Sequence, residues 1–147
     1  MDHRSLTAAL LAAALLASPL KAADTPNPLT DSPTWDSLRA DVTGQDTPIP
    51  AADGLFTLDA PYRAEDAATV PLRIVQADPS VPIRAATVVI DENPAPVAGT
   101  FTFSEAMAPL DFEFRVRVNQ YSNVRVIADT PGGLRMDGRF VKASGGC

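Results

Sequence analysis

The residue with the clearest capacity for chemistry is Cys147, the only cysteine of the chain, in the segment KASGGC. A thiolate is a strong nucleophile that bonds readily to sulfur. A single cysteine forms neither an internal disulfide nor a multi-cysteine metal site. Because an unperturbed cysteine has a pKa of about 8.5, only a small fraction is thiolate at neutral pH. With no partner base evident in the sequence, this favours a carrier that an enzyme activates over a catalyst.

The residues before the thiol favour reach over packing. Ser144, Gly145 and Gly146 precede Cys147, and glycine adopts most backbone angles. We therefore expect these three residues to form the hinge of a flexible carrier arm, residues 142–147. Such an arm could extend about 20 Å and enter a cleft in another protein. The alternative is an incidental cysteine at a frayed terminus, or a cut through a longer chain.

Histidine chemistry is excluded if the start of the chain is removed, because His3 is the only histidine. Ser-His-Asp and Cys-His catalysis and histidine-based metal sites then have no histidine to use. The remaining enzymatic candidates are two acidic pairs, Glu65–Asp66 and Asp91–Glu92. Because both pairs are predicted at strand ends, we interpret them as turn-forming or capping residues. The sequence therefore predicts a protein that is not an enzyme and implies no cofactor.

The first 22 residues are typical of a secretory signal peptide. Arg4 is followed by an apolar run from Leu6 to Leu16, Pro19 breaks the run, and Ala22 suits cleavage. The run is too short to span a bilayer, and without a twin-arginine pair the general secretion route is expected. Cleavage leaves 10 basic and 17 acidic residues, a net charge of −7. This balance argues against binding to nucleic acid or to an anionic membrane.

One short helix is predicted after a flexible lead-in at residues 23–32. Ser32 suits the N-cap, Pro33 suits the first helical position, and Gly44 suits the end. Three apolar residues fall on one face of this helix: Trp35, Leu38 and Val42. We therefore expect the helix to pack on a larger body, with its tryptophan as a core anchor rather than a ligand platform.

The rest of the chain predicts β-structure. Seven candidate strands lie in LFTLDAP, ATVPLRIVQ, IRAATVVID, GTFTFSEAM, DFEFRVRVNQ, SNVRVIAD and LRMDGRFVKA. Short strands with turns about every 8–12 residues are typical of an all-β, immunoglobulin-like antiparallel β-sandwich. This domain is predicted over residues 33–141, including the N-terminal helix. Pro71 suggests that the second strand is an edge strand or carries a bulge.

The clearest alternation lies in DFEFRVRVNQ, where apolar and charged side chains point to opposite faces. The apolar face, which we expect to be buried, consists of Phe112, Phe114, Val116 and Val118. Charge is also uneven, since residues 111–147 have a net charge of +2 and residues 23–110 one of −9. Either the C-terminal strands expose a solvated charged face, or they form a basic end that tolerates anions near the arm.

Four stretches of the sequence resemble the SoxY family of sulfur carriers: residues 58–74, 88–96, 112–129 and 139–147. The resemblance implies an immunoglobulin-like sandwich and a heterodimer with a SoxZ-like domain in the periplasm. It also implies that Cys147 holds a thiosulfate- or sulfite-derived intermediate covalently, on a hinge of Gly145 and Gly146, while partner enzymes act on it.

The end of the sequence departs from the family pattern, which is usually Gly-Gly-Cys-Gly-Gly. FVKASGGC also resembles the junction in fused SoxYZ-like carriers that are associated with quinoprotein dehydrogenases. The SoxZ-like partner is therefore expected either as a separate subunit or fused downstream, and the receiving enzymes as Sox enzymes or a quinoprotein dehydrogenase system. The alternative function is a non-catalytic periplasmic binding or assembly module with an incidental cysteine.

Overall fold

The computed structural model describes residues 26–144 of the chain. The predicted signal peptide, residues 1–22, lies outside the described residues. So do three residues of the predicted arm: Gly145, Gly146 and Cys147.

Two antiparallel sheets and one helix make up the described chain. The helix is α1 (Pro33–Thr43), and a 3₁₀ turn spans Glu105–Met107. The strands are β1 (Phe56–Asp59), β2 (Val70–Gln76), β3 (Ala85–Ile90), β4 (Val97–Thr102), β5 (Asp111–Val116), β6 (Ser122–Thr130) and β7 (Gly133–Val141). One sheet has the order β1-β2-β5 and the other the order β4-β3-β6-β7. The predicted strands and the antiparallel sandwich are confirmed.

The main core lies between the two sheets. Alternating residues of both sheets point inward, as the period of two in the sequence requires. Its fully buried side chains include Leu58, Leu72, Ile74, Val88, Ile90, Val124, Val126 and Val141. Because burying one such side chain contributes about 1.5–3 kcal/mol, this layer is the principal source of stability.

Helix α1 begins and ends as its sequence predicts. The Ser32 hydroxyl accepts the Trp35 N–H at 3.1 Å, and Pro33 occupies the first turn. Gly44 has a left-handed φ of 73° and its N–H donates to the Ala40 carbonyl. Trp35 is buried in a second cluster with Ile49, Val89 and Ile127. The helix therefore covers the outer face of the β4-β3-β6-β7 sheet, and the prediction of a tryptophan anchor is confirmed.

Pro71 does not mark an edge strand, because β2 lies between β1 and β5. The Gln76 N–H donates toward β5, to the Leu110 carbonyl, so by alternation the nitrogen of residue 71 faces the β1 side. Strand β1 has already ended there, since its last pair is Asp59 with Arg73. The missing proline N–H therefore costs no ladder hydrogen bond, although the strand is central.

Strand β5 alternates as predicted, but its phenylalanines are only half-buried. Phe112 and Phe114 meet Phe101 and Phe103 from the β4 side, and we call these four residues the Phe cluster. The ring centroids of Phe101 and Phe114 are 5.0 Å apart, and those of Phe103 and Phe112 are 5.4 Å apart. The cluster fills the gap between edge strands of opposite sheets. The apolar face of β5 therefore packs against the core as expected, but its phenylalanines are only partly buried because no strand closes this side.

Within residues 26–144, α1 is neither long nor apolar enough to cross a membrane, and no other helix qualifies.

Candidate functional site

The end of β7 is fixed to the body of the sandwich. The Lys142 N–H donates to the Tyr62 carbonyl at 2.7 Å, and the Lys142 carbonyl accepts the Ala64 N–H at 3.0 Å. Ala143 is buried, whereas Ser144 is exposed. Of the residues predicted as the arm, 142 and 143 are therefore anchored, and the described chain ends at the exposed Ser144, a position that we call the exit.

A cationic and aromatic surface surrounds this exit, and we call it the exit platform: Tyr62, Arg63, Tyr121 and Lys142. The Lys142 Nζ lies 4.7 Å from the Tyr62 ring centroid and 5.9 Å from that of Tyr121. The Arg63 guanidinium lies 5.8 Å from the Tyr62 ring. Both tyrosines remain exposed, at 45% and 52%. Tyrosine and arginine are enriched at protein interfaces, so this surface suits contact with a protein or with an anion.

Tertiary pairing assembles the exit platform from distant parts of the sequence. Tyr62 lies in the connection after β1, and a parallel bridge joins Arg63 to Lys142. Pairing of Ser122 with Val141 brings the start of β6 beside the end of β7, and thus Tyr121 beside Lys142. Sequence reasoning missed this site. The sequence signal that could have indicated the site is the pair Tyr62 and Tyr121. Both are large aromatic residues in turns, where burial in the core does not explain their presence.

The acidic pairs have different roles. The Asp66 carboxylate accepts the Ala68 N–H at 2.8 Å and the Thr69 hydroxyl at 3.2 Å, so this residue caps a turn as expected. The Glu92 N–H donates to the Ser122 hydroxyl, which ties the β3–β4 turn to the start of β6. Asp91 also lies in a turn, directly after β3, as expected, but its side chain has a further role that the sequence did not indicate.

Asp91 forms a buried ion pair with Arg125. The carboxylate accepts from the Arg125 Nε and Nη2, each at 2.9 Å, and the two side chains are 1% and 5% exposed. The guanidinium also lies 4.5 Å from the Trp35 ring. Because α1 covers this face of the sheet, the expectation of a solvated arginine on β6 is wrong for Arg125. The pair is structural.

Ion pairs also involve other charged residues of the C-terminal strands. Arg139 donates to Asp137 at 2.8 Å and is buried. On the outer face of the β1-β2-β5 sheet, Arg73 binds Asp111 in a bidentate pair at 2.7 and 2.6 Å. The hydrogen bond from Arg73 holds the pKa of Asp111 below its ordinary value. The cations at the exit are Lys142, which directly follows β7, and Arg63, which is bridged to Lys142.

No group of three or more His, Cys, Asp or Glu side chains within residues 26–144 is placed to hold a metal ion.

A family model accounts for most of this sequence. The model of Sulfur oxidation protein SoxY matches residues 39–147. The chain belongs to the SoxY family. The SoxY match runs from within α1 to Cys147, so it includes all seven strands and the predicted arm. No curated protein matches the chain.

Solved structures share the SoxY sandwich. The sulfur carrier protein SoxY from Chlorobium limicola f thiosulfatophilum matches with a TM-score of 0.59 at 24% identity, over 75% of this chain and 91% of that chain. Superoxide reductase (neelaredoxin) from Ignicoccus hospitalis matches with a TM-score of 0.51 at 16% identity, over 60% and 79% of the two chains. At these identities the likeness shows the fold alone. It confirms the predicted immunoglobulin-like class.

Membership of the SoxY family supports a sulfur-carrier role for this chain. SoxY proteins are generally non-catalytic, and they partner with SoxZ in sulfur oxidation.

Proposed function

We propose that this SoxY-family chain is a periplasmic carrier that holds a sulfur intermediate covalently on Cys147 and presents it to partner enzymes. The observation that carries the proposal is the exit at Ser144. Residues 142 and 143 are fixed to the sandwich, and Ser144, three residues before the thiol in the sequence, is exposed. The SoxY match includes that thiol.

Loading joins the thiol to thiosulfate through a new S–S bond. The thiol loses its proton, and the oxidation releases two electrons to an oxidant in the partner enzyme. The product is a cysteine S-thiosulfonate, which carries a negative charge at neutral pH. The same adduct forms without an external oxidant when the thiolate displaces thiosulfate from tetrathionate, because the S–S bond of tetrathionate is already oxidised. Thiolate attack on an S–S bond is ordinary exchange chemistry.

The geometry of the exit constrains the partner enzyme. From Ser144, three further residues extend at most about 10 Å. An enzyme that takes Cys147 into a cleft must therefore come close to the exit platform. Lys142 and the two exposed tyrosines would contact it, and their cationic and aromatic character suits an acidic rim around the cleft.

The mass of the exported protein, purified without reductant from thiosulfate-grown cells, tests the proposal. We expect a chain that begins at Ala23 and carries sulfur adducts on Cys147. Tetrathionate should restore the thiosulfonate adduct to reduced protein but not to Cys147→Ser. Only free thiol, or only disulfide dimer, in the protein from cells would favour the alternative of a binding or assembly module.

The enzymatic step needs its own control. Reduced wild-type protein and reduced Lys142→Glu protein should form the adduct equally with tetrathionate, since that reagent needs no docking. The partner enzyme should process the Lys142→Glu adduct more slowly. Equal processing of both adducts would contradict docking at the exit platform while leaving the carrier role intact.

A further inference from the structure

The β4 edge differs from the other sheet edges of the described chain. Residues 97–104, VAGTFTFS, contain no charged side chain. Proteins usually protect a free edge with charges, prolines or a covering segment, because its unpaired backbone groups are a template for another strand. The side chains of Val97 and Met107, at the two ends of this edge, are among the exposed large apolar residues.

Backbone direction identifies the free groups of this edge. The Phe103 N–H donates inward to the Arg84 carbonyl of the segment before β3, and Phe101 pairs with Ala86. Because N–H groups alternate along a strand, Thr100 and Thr102 point their N–H and carbonyl groups away from β3. Neither backbone donates to a partner within residues 26–144.

The other edges are covered or charged. On β7, the Met136 N–H donates to the Pro50 carbonyl and the Phe140 N–H to the Asn27 carbonyl. On β1, the Leu58 N–H donates to the Asp137 carboxylate at 2.7 Å. Strand β5 has a charged residue at every second position: Asp111, Glu113 and Arg115. The β4 edge has neither form of protection.

The Phe cluster lies directly beside this edge. Phe101 and Phe103 point into the gap toward Phe112 and Phe114, with centroid distances of 4.9–6.4 Å within the cluster. All four rings are only partly buried. A strand added to β4 would continue the sheet and bring its own inward side chains over these rings. The backbone groups of the added strand that face β4 would form hydrogen bonds with the free backbone groups of Thr100 and Thr102.

We propose that the β4 edge and the adjoining Phe cluster are the surface on which a β-strand of a partner sandwich docks. The inference rests on the proposed carrier function for the class of partner, and it adds the face and the mode of contact. Position favours this occupant, since β4 and β7 are opposite edges of one sheet, about 14 Å apart across three strand spacings. A partner here leaves the exit at Ser144 free.

Charge favours a different chain over a second copy. The chain that remains after the predicted cleavage has a net charge of −7, so two copies repel one another. The edge itself carries no charge that would repel a different sandwich. Main-chain pairing supplies affinity in this mode, and apolar side chains in alternate positions supply specificity.

Thr102→Pro is the most direct test of strand docking at the β4 edge. Proline removes only an N–H that points away from β3, so the β3–β4 ladder keeps its bonds and the fold should persist. With purified SoxZ as the probe, we expect its affinity to fall roughly tenfold or more, as loss of strand hydrogen bonds and the added steric block imply. Thr102→Lys should act in the same direction. Thr57→Lys, on the exposed face of β1, is the matched control and should bind normally.

Amide exchange in the wild-type complex gives an independent measurement. The Thr100 and Thr102 amides should gain protection on SoxZ binding, while the Phe103 amide, already bonded to Arg84, should change little.

Normal SoxZ binding by folded Thr102→Pro and Thr102→Lys, or equal losses with Thr57→Lys, would overturn the proposal. A wild-type chain that binds no SoxZ, or that forms a homodimer lost on Thr102→Pro, would overturn the assigned occupant. The Cys147 adduct is measured separately, so failure of the carrier function remains distinguishable.

Discussion

At the residue scale, the same type of side chain has opposite roles that depend on its neighbours. Asp91 lies under α1 and neutralises the buried Arg125 at 2.9 Å, whereas Asp111 makes a shorter pair with Arg73, at 2.6 Å, in solvent. Exposed pairs contribute little because water and salt screen them. Removal of one member of a buried pair leaves an uncompensated charge. The chemistry of the two carboxylates is identical, and burial alone separates them.

Asp91→Asn should therefore strongly destabilise the fold, by about 3–5 kcal/mol, because Arg125 remains buried without its counter-ion. Denaturant unfolding measures the difference. Asp111→Asn is the matched control and should have a much smaller effect. Similar losses for both variants would mean that α1 does not exclude water from the Arg125 side chain.

Cys147→Ser should abolish the sulfur adduct and leave stability unchanged within about 0.5 kcal/mol. Cys147 follows the exposed Ser144 by three residues, and the last buried residue of the described chain is Ala143. Thermal unfolding and intact mass, measured on both proteins, check the two halves of this expectation. A loss of stability comparable to that of a core variant would show that the thiol is packed.

At the element scale, strands β2 and β5 form one ladder with unequal faces. The inner face pairs fully buried Leu72 with half-buried Phe114. The outer face pairs Arg73 with Glu113 and carries the Arg73–Asp111 bridge. Since β5 is an edge strand and β2 is central, side chains on the same face differ in burial according to their distance from the open side.

Phe114→Ala should cost about 2 kcal/mol, roughly half the 3–5 kcal/mol typical of a fully buried phenylalanine, because its ring faces the open side. Leu72→Ala, at the paired position, should cost more within the 2–5 kcal/mol range for buried leucine. Unfolding midpoints in denaturant compare the two. A larger loss for Phe114→Ala would mean that the Phe cluster is closed in solution.

The Arg73–Asp111 bridge predicts a pH effect with a definite sign. The Arg73 hydrogen bond lowers the pKa of Asp111, so its contribution to stability is present above the unfolded-state pKa and is lost as pH falls through the folded-state pKa. Arg73→Ala should raise the pKa of Asp111 toward its ordinary value, as a carboxyl NMR titration would measure. An unchanged pKa would mean that the bridge does not persist in solution.

At the scale of the whole molecule, the two proposed contact regions lie on opposite sides. Strand β7 leads to the exit platform, and β4 presents the open edge next to the Phe cluster. A carrier that must keep its structural partner while it visits enzymes requires this separation. We therefore expect SoxZ binding to leave the rate of Cys147 alkylation unchanged. Protection of the thiol in a complex of confirmed mass would contradict independent contact regions.

Local patterns in the sequence determined the elements. Ser32, Pro33 and Gly44 set the ends of α1 through hydrogen bonds within a few residues, and alternation in DFEFRVRV set the faces of β5. The terminal Gly-Gly-Cys also predicted a carrier before any fold was known, a prediction that the family match supports and that no described residue tests. Such features depend on neighbours in the chain, so one sequence is enough to read them.

Tertiary structure alone decided what depends on strand order. The elements that lie alongside each strand decide three features. They decide whether Pro71 lies on an edge, whether Arg125 meets water, and whether the phenylalanines of β5 are fully covered. The exit platform likewise joins Tyr62, Tyr121 and Lys142 from three separate parts of the chain. Alternation specifies that a side chain faces inward or outward, but only the pairing of distant strands and the position of α1 specify what it meets there.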